Sequence, residues 1–166
     1  MSTKYVLDPA DRRRLLASPA GWLACGFGSG LTPKAQGTFG SAAAILPWLL
    51  LRDLPPLAWL AILVVSFAVG VWACEIAGRI LGVADHRSLV WDEFVGQWIA
   101  LLPALLAPWW VVLAGFALFR LFDVWKPWPI AWFDRRVKGG LGVMLDDVIA
   151  GIVAAAVLSL VLFFVR

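Results

Sequence analysis

The sequence predicts an all-α fold, a polytopic membrane helical bundle of about five spans with a helical hairpin that turns near residue 108. Three observations point there. Of the 166 residues, 62% are hydrophobic and 15% charged, against about 45–50% and about 25% in an ordinary soluble domain. Mean hydropathy is +0.87, and the apolar residues fall in four long uncharged runs. The eleven tryptophans match the aromatic enrichment of membrane interfaces. This balance excludes a water-soluble fold of this size, a disordered tail and a nucleic-acid partner. The length allows one domain, 1–166, in which 1–21 is a basic N-terminal segment.

Taken in order, the uncharged runs are 39–51 (13 residues, or 17 if extended back to Ala35), 54–74 (21), 94–119 (26) and 148–165 (18). A crossing helix needs about 20 apolar residues, within a range of about 17–25. The second and fourth runs read as single spans, and the first is short for one. The third is too long for one, and it contains Pro103 and Pro108-Trp109-Trp110. Proline interrupts a helix and tryptophan prefers the interface, so this run reads as two arms joined near Pro108.

Charge sets the orientation. Lys4, Arg12, Arg13 and Arg14 precede the first span, which places the N-terminus in the cytoplasm. With five spans, segments 78–92 and 120–142 are cytoplasmic too, and only Arg52 and Arg166 fall on the far side: twelve of the fourteen basic residues share one side. A single crossing at 94–119 would put the five basic residues of 120–142 outside, so the positive-inside rule favours the hairpin. The N-terminus lacks the apolar stretch of a cleavable signal peptide.

The acidic residues follow. Asp85, Asp92, Glu93, Asp123, Asp134, Asp146 and Asp147 all fall on the cytoplasmic side of this topology, several at the edges of spans. Carboxylates gathered at neighbouring helix ends repel one another unless paired, solvated or bound to a cation. Oxygen ligands without histidine or cysteine suit magnesium, manganese or calcium rather than zinc. His86 is the only histidine, and Cys25 and Cys74 form no metal-binding spacing; they read as free thiols in apolar surroundings.

Four segments carry candidate chemistry. Gly26 to Gly40 holds five glycines, three hydroxyls and Lys34 before a helix. It reads as a phosphate-cradling loop or as a flexible turn beside the membrane. Asp85 to Gln97 sets Asp92 beside Glu93, two neighbours that face different ways on a helix. Gly96, one turn below Asp92, admits a close neighbour. Arg120, Asp123 and Lys126 fall on successive turns of one face, as site residues or as an ion-pair ladder closed by Pro127. Gly139-Gly140-Leu141-Gly142 precedes Asp146-Asp147, with Gly151 one turn after Asp147. Other charges read as structural: Glu75 and Arg79 as a surface pair, and His86 as a surface histidine.

Together these segments, Gly26–Ser41, Asp85–Gly96, Phe119–Pro129 and Gly139–Gly151, resemble the phosphatidylglycerophosphatase A family in its GFGSGL…GT-G-S, D…V-DE, FR…D…KPWP and GG-G-M-DD…AG motifs. The likeness runs from about residue 22 to 151, with the motifs in family order. Gln36 departs from it, standing where the family often has proline. The resemblance implies an all-helical bundle in a bacterial cytoplasmic membrane. It also implies Mg2+-dependent hydrolysis of the phosphomonoester of phosphatidylglycerophosphate, which gives phosphatidylglycerol and phosphate.

Known phosphatase devices narrow the mechanism. Five residues after Cys25 stands Leu31 rather than the arginine of a thiol-phosphatase loop, no DxDx(T/V) motif occurs, and one histidine cannot supply a histidine-nucleophile site. Metal-activated water remains, or an aspartate nucleophile of another kind. The candidate catalytic residues and magnesium ligands are Asp92, Glu93, Asp123, Asp146 and Asp147. Lys34, Thr38, Arg120 and Lys126 are candidates for phosphate, and Asp85 and Asp134 for supporting positions. The alternative class is a small transporter or ion-conducting protein, which needs charges near the membrane midplane rather than at one end.

Overall fold

A computed structural model describes residues 7–165; Lys4 and Arg166, which bear on orientation, lie outside the described residues. Among these the secondary structure is helical, without strands. The helices are α1 (Pro9–Leu16), α2 (Pro19–Ala24), α3 (Gln36–Leu51), α4 (Pro56–Leu81), α5 (Trp91–Ala100), α6 (Trp109–Trp125), α7 (Ile130–Arg136) and α8 (Gly139–Val165). Short 3-10 turns at Gly26–Leu31 and Leu102–Ala104 complete the chain.

Local chemistry sets the boundaries. The Asp8 side chain accepts from the Ala10 amide at 2.8 Å and Pro9 opens α1, using donors and a fixed φ that suit a helix start. Prolines likewise open α2 and α4, and Pro108 immediately precedes α6. Gly82, at φ 67°, closes α4 in the left-handed conformation that glycine adopts without strain.

Two helices, α4 and α8, are long and apolar enough to cross a membrane, with 26 and 27 residues, or about 40 Å each. Only 22% of each apolar stretch is buried within the protein, where the core helix of a soluble protein would be mostly covered. Leu57, Leu60, Val64 and Trp72 on α4, and Ile152, Leu160, Phe163 and Phe164 on α8, are exposed. So large an apolar surface calls for lipid around it. The shorter α3 carries the same kind of surface through Leu46 and Leu50.

The long run 94–119 is interrupted as its prolines require, though over a stretch rather than at a single turn. α5 ends at Ala100, a 3-10 turn holds Pro103, and α6 begins after Pro108. The first arm is therefore a ten-residue helix of about 15 Å, extended by irregular chain. α8 is the central post, packed on α4, α5, α6 and α7. It approaches α5 backbone to backbone: a Cβ on Gly151 would overlap the Gly96 carbonyl, and one on Gly96 would come within 2.7 Å of the Asp147 carbonyl. α5 is sheathed in aromatic contacts. Trp91 stacks on Phe94 at 5.1 Å, and the Trp98 indole donates to the Ala44 carbonyl of α3 at 2.8 Å.

Candidate active site

The starts of α3, α5 and α8 meet the ends of α4 and α6 at one end of the bundle. Between them lies a cavity of about 740 Å3, within the size range of ligand sites. Lys34, Asp85, Asp92, Glu93, Arg120, Asp123, Lys126, Asp134, Asp146 and Asp147 all line it. Thr38 does not; it stands exposed on the outer side of α3. Residues from four distant segments thus converge, as the grouping of the acids on one side anticipated.

The first corner joins α3, α5 and α6. Arg120 donates to Glu93 at 2.5 Å and pairs with Asp123 at 2.8 Å. The Ser41 hydroxyl lies 2.5 Å from Glu93 Oε2 and 3.3 Å from Arg120 Nη1. Glu93 is therefore committed to a cation and a hydroxyl. Ser41, fully buried, escaped the sequence reading. Its only local sign is a hydroxyl inside an apolar helix.

The second corner joins α6, α7 and α8. Lys126 donates to Asp134 at 2.8 Å and Asp146 at 2.6 Å. Its backbone is left-handed, at φ 46°, so it leaves the face it would share with Arg120 and Asp123 on a continuing helix. The ladder is thus limited to Arg120–Asp123. Burial alone would lower the Lys126 pKa, but Asp146 and Asp134 outweigh it and hold the ammonium above its usual value.

Between the corners stand the less committed acids. Asp92 accepts from the Glu93 amide at 2.9 Å. Asp147 is 3% exposed and faces the charges of Asp123, Glu93, Asp92 and Asp146. Asp146 Oδ1 and Asp147 Oδ2 are buried without a hydrogen-bond partner, a costly state for a carboxylate oxygen. Seven acidic and five basic side chains line the cavity, so it carries an excess of negative charge. Orphaned anionic oxygens with no nitrogen or sulfur donor among them are the chemistry a hard cation takes. Among the described residues no three of these groups already stand close enough to hold an ion. The donor chemistry is thus of the hard-cation kind, while the carboxylates do not stand at ligand spacing.

The glycine-rich segment works differently from a phosphate loop along most of its length. Gly26 and Gly28 have positive φ, and a Cβ on Gly26 would press on Phe94 and Val90. This part is a tight support packed on the start of α5, and only Pro33–Gly37 reach the cavity. Glu75 does pair with Arg79 at 3.0 Å, but its other oxygen accepts from the Gly140 amide at 2.8 Å. It therefore anchors the first turn of α8 as well as making a surface pair. His86 is buried rather than superficial, because its Nδ1 accepts from the Ser88 amide at 3.2 Å and folds the loop over it. Cys25 and Cys74 are buried free thiols, as read from their surroundings.

An apolar helical bundle with a charged cavity at one end is the architecture of a membrane-associated protein with a site for a polar ligand. The chain belongs to the phosphatidylglycerophosphatase A family, whose profile matches residues 22–162. It is 46% identical over 151 residues to phosphatidylglycerophosphatase A of Escherichia coli (strain K12), covering 91% of this chain and 88% of the relative. It is also 46% identical over 143 residues to phosphatidylglycerophosphatase A of Haemophilus influenzae, covering 86% and 88%. A relative from Bacteroides thetaiotaomicron, 44% identical over 137 residues (76% of this chain and 83% of the relative), bears a provisional name as a phosphatidylinositol-3-phosphatase. No solved structure matches the chain.

Proposed function

We propose that this chain hydrolyses the phosphomonoester of phosphatidylglycerophosphate, releasing phosphatidylglycerol for phospholipid synthesis, in the cavity between α3, α5, α6 and α8. The observation that carries this reading is the meeting of Arg120 and Lys126 with Asp92, Asp123, Asp146 and Asp147 in one cavity, in a chain of this family. Water adds to phosphorus, the bond from phosphorus to the glycerol oxygen breaks, and that oxygen takes a proton, leaving an alcohol and inorganic phosphate. The Arg120 fork and the Lys126 ammonium bind phosphoryl oxygens, where negative charge builds. Lys34, exposed at the rim, draws the anionic headgroup inward.

Asp92 and Asp147, with Asp123 and the free oxygen of Asp146, are the residues to hold magnesium, since Glu93 is engaged by Arg120 and Ser41. When bound, such an ion neutralises phosphate oxygens and makes a bound water more acidic.

The bundle crosses the membrane about five times, through α3, α4, the α5–α6 hairpin and α8, in the bacterial inner membrane. The basic segments and the cavity face the cytoplasm. Below Asp147, residues 148–165 remain as 18 uncharged positions, about 27 Å of helix, so the acids stand at headgroup level. That position favours hydrolysis at the interface over transport through the midplane.

The test is phosphate release by the detergent-purified protein. Phosphatidylglycerophosphate should release phosphate with magnesium, stop with excess chelator and recover when the metal is restored. A parallel assay with phosphatidylinositol 3-phosphate measures headgroup selectivity. Undiminished release in chelator would overturn the carboxylate–magnesium mechanism.

A further inference from the structure

We infer that Gly37 and Ser41, one turn apart on α3, are positioning residues that fix the Glu93 carboxylate and through it aim Arg120 into the cavity. This rests on the reading above, in which Arg120 contacts the phosphate.

The geometry is specific. Ser41 Oγ stands 2.5 Å from Glu93 Oε2 and 2.9 Å from the Gly37 carbonyl one turn back. A hydroxyl has one proton to give. The anionic oxygen is nearer and is the stronger acceptor, so Ser41 donates to Glu93. Its lone pair then accepts from Arg120 Nη1 at 3.3 Å. Glu93 Oε1 lies against the bare Cα of Gly37, where a Cβ would overlap it and come within 3.1 Å of Arg120 Nη1. One turn of α3 thus offers a gap for one carboxylate oxygen and a donor for the other, and Arg120 closes the third side.

Ser41 is fully buried and does not line the cavity. Its hydroxyl cannot meet a substrate, so it is no nucleophile despite the carboxylate beside it. Of the segment Gly37-Thr38-Phe39-Gly40-Ser41 only Gly37 reaches the cavity, so Ser41 acts on Glu93 and Arg120 rather than on phosphate. Without the Ser41 donor, the Glu93 carboxylate is free to turn and take the guanidinium more fully, which withdraws Arg120 from the cavity.

The test is a double-mutant cycle on the full-length protein in detergent, read as kcat/KM together with thermal stability. Ser41→Ala is expected to lower kcat/KM about tenfold, the scale of one hydrogen bond to a charged group. In a Glu93→Gln background the same change should cost less than about twofold, because the carboxylate it orients is gone. A merely structural serine would lower stability and cost the same in both backgrounds, and that result would overturn the inference. So would an unaffected kcat/KM in Ser41→Ala. If Ser41→Ala does not fold, Ser41→Cys keeps the volume with a weaker donor, and an intermediate loss that shrinks with Glu93→Gln is expected. If Glu93→Gln alone keeps full turnover, the role of the Glu93–Arg120 pair fails and the positioning role falls with it. If Glu93→Gln is impaired but the cycle is additive, only the positioning role falls.

Discussion

Gly96 of α5 and Gly151 of α8 meet backbone to backbone, so that no side chain separates the helix carrying Asp92 and Glu93 from the helix carrying Asp146 and Asp147. The two pairs of acids share a cavity because these two positions have no Cβ. Gly151→Ala is expected to destabilise the protein by about 1–3 kcal/mol, the usual cost of overpacking. It should also lower turnover by spreading the acids. Thermal unfolding and kcat measured on the same detergent preparation check both effects.

Glu75 tests the anchoring of α8. Its contact with Arg79 is exposed, and such pairs contribute little. The contact with the Gly140 amide ties α8 to α4 seven residues above Asp147. Glu75→Ala should therefore lower both the Tm and turnover, while Arg79→Ala leaves both unchanged. Glu75→Gln keeps an acceptor for the amide and should fall near the wild type. Equal effects of the Glu75→Ala and Arg79→Ala variants would show that the surface pair alone matters.

His86 predicts an acid sensitivity of the fold. Burial lowers its pKa against the opposing pull of Asp85 and Asp11, and protonation would remove the acceptor for the Ser88 amide. The folded protein thus binds fewer protons at this site than the unfolded chain. Stability from His86 is complete above the unfolded histidine value of about 6.5 and is lost as pH falls from there through the lower folded value. The Tm should drop over that window, and His86→Asn, which keeps a local acceptor for the amide, should remove the drop. An unchanged pH profile in that variant would contradict the assignment.

Lys126 is shared by Asp134 and Asp146, and an incoming phosphate must compete with them for it. Asp134→Asn is expected to lower KM for the lipid by about two- to fivefold with kcat little changed, since it frees the ammonium without touching Asp146. Lys126→Ala should cost at least about a hundredfold in kcat/KM, the scale of losing one electrostatic stabiliser. Steady-state kinetics separate the two, and a raised KM in Asp134→Asn would contradict the competition.

What the sequence made legible was the one-dimensional pattern. The apolar runs locate α4 and α8, Pro103 and Pro108 mark the break before α6, and the sided charges foretell the gathering of the acids. The departure of Lys126 from the face of Arg120 and Asp123 was not read, although Pro127 carries its sign, since a residue before proline avoids the helical conformation. Contacts between distant residues were hidden. Ser41 and Glu93 are 52 positions apart, and Glu75 and Gly140 are 65 apart. No local spacing reveals that a serine on one helix holds a carboxylate on another. Glu75 was read from its nearest opposite charge, and the amide that also binds it belongs to a helix start far along the chain.

The most direct measurement is turnover of phosphatidylglycerophosphate by Asp92→Asn, Asp123→Asn and Asp147→Asn. Asparagine keeps the size and one oxygen but loses the charge that a hard cation and the Arg120 pairing require. Each variant should lose at least about a hundredfold in turnover while remaining folded by thermal unfolding. Asp147→Asn should be no less stable than the wild type, because its removed charge faces four other carboxylates. Near-normal turnover in all three variants would contradict a reaction carried out in this cavity.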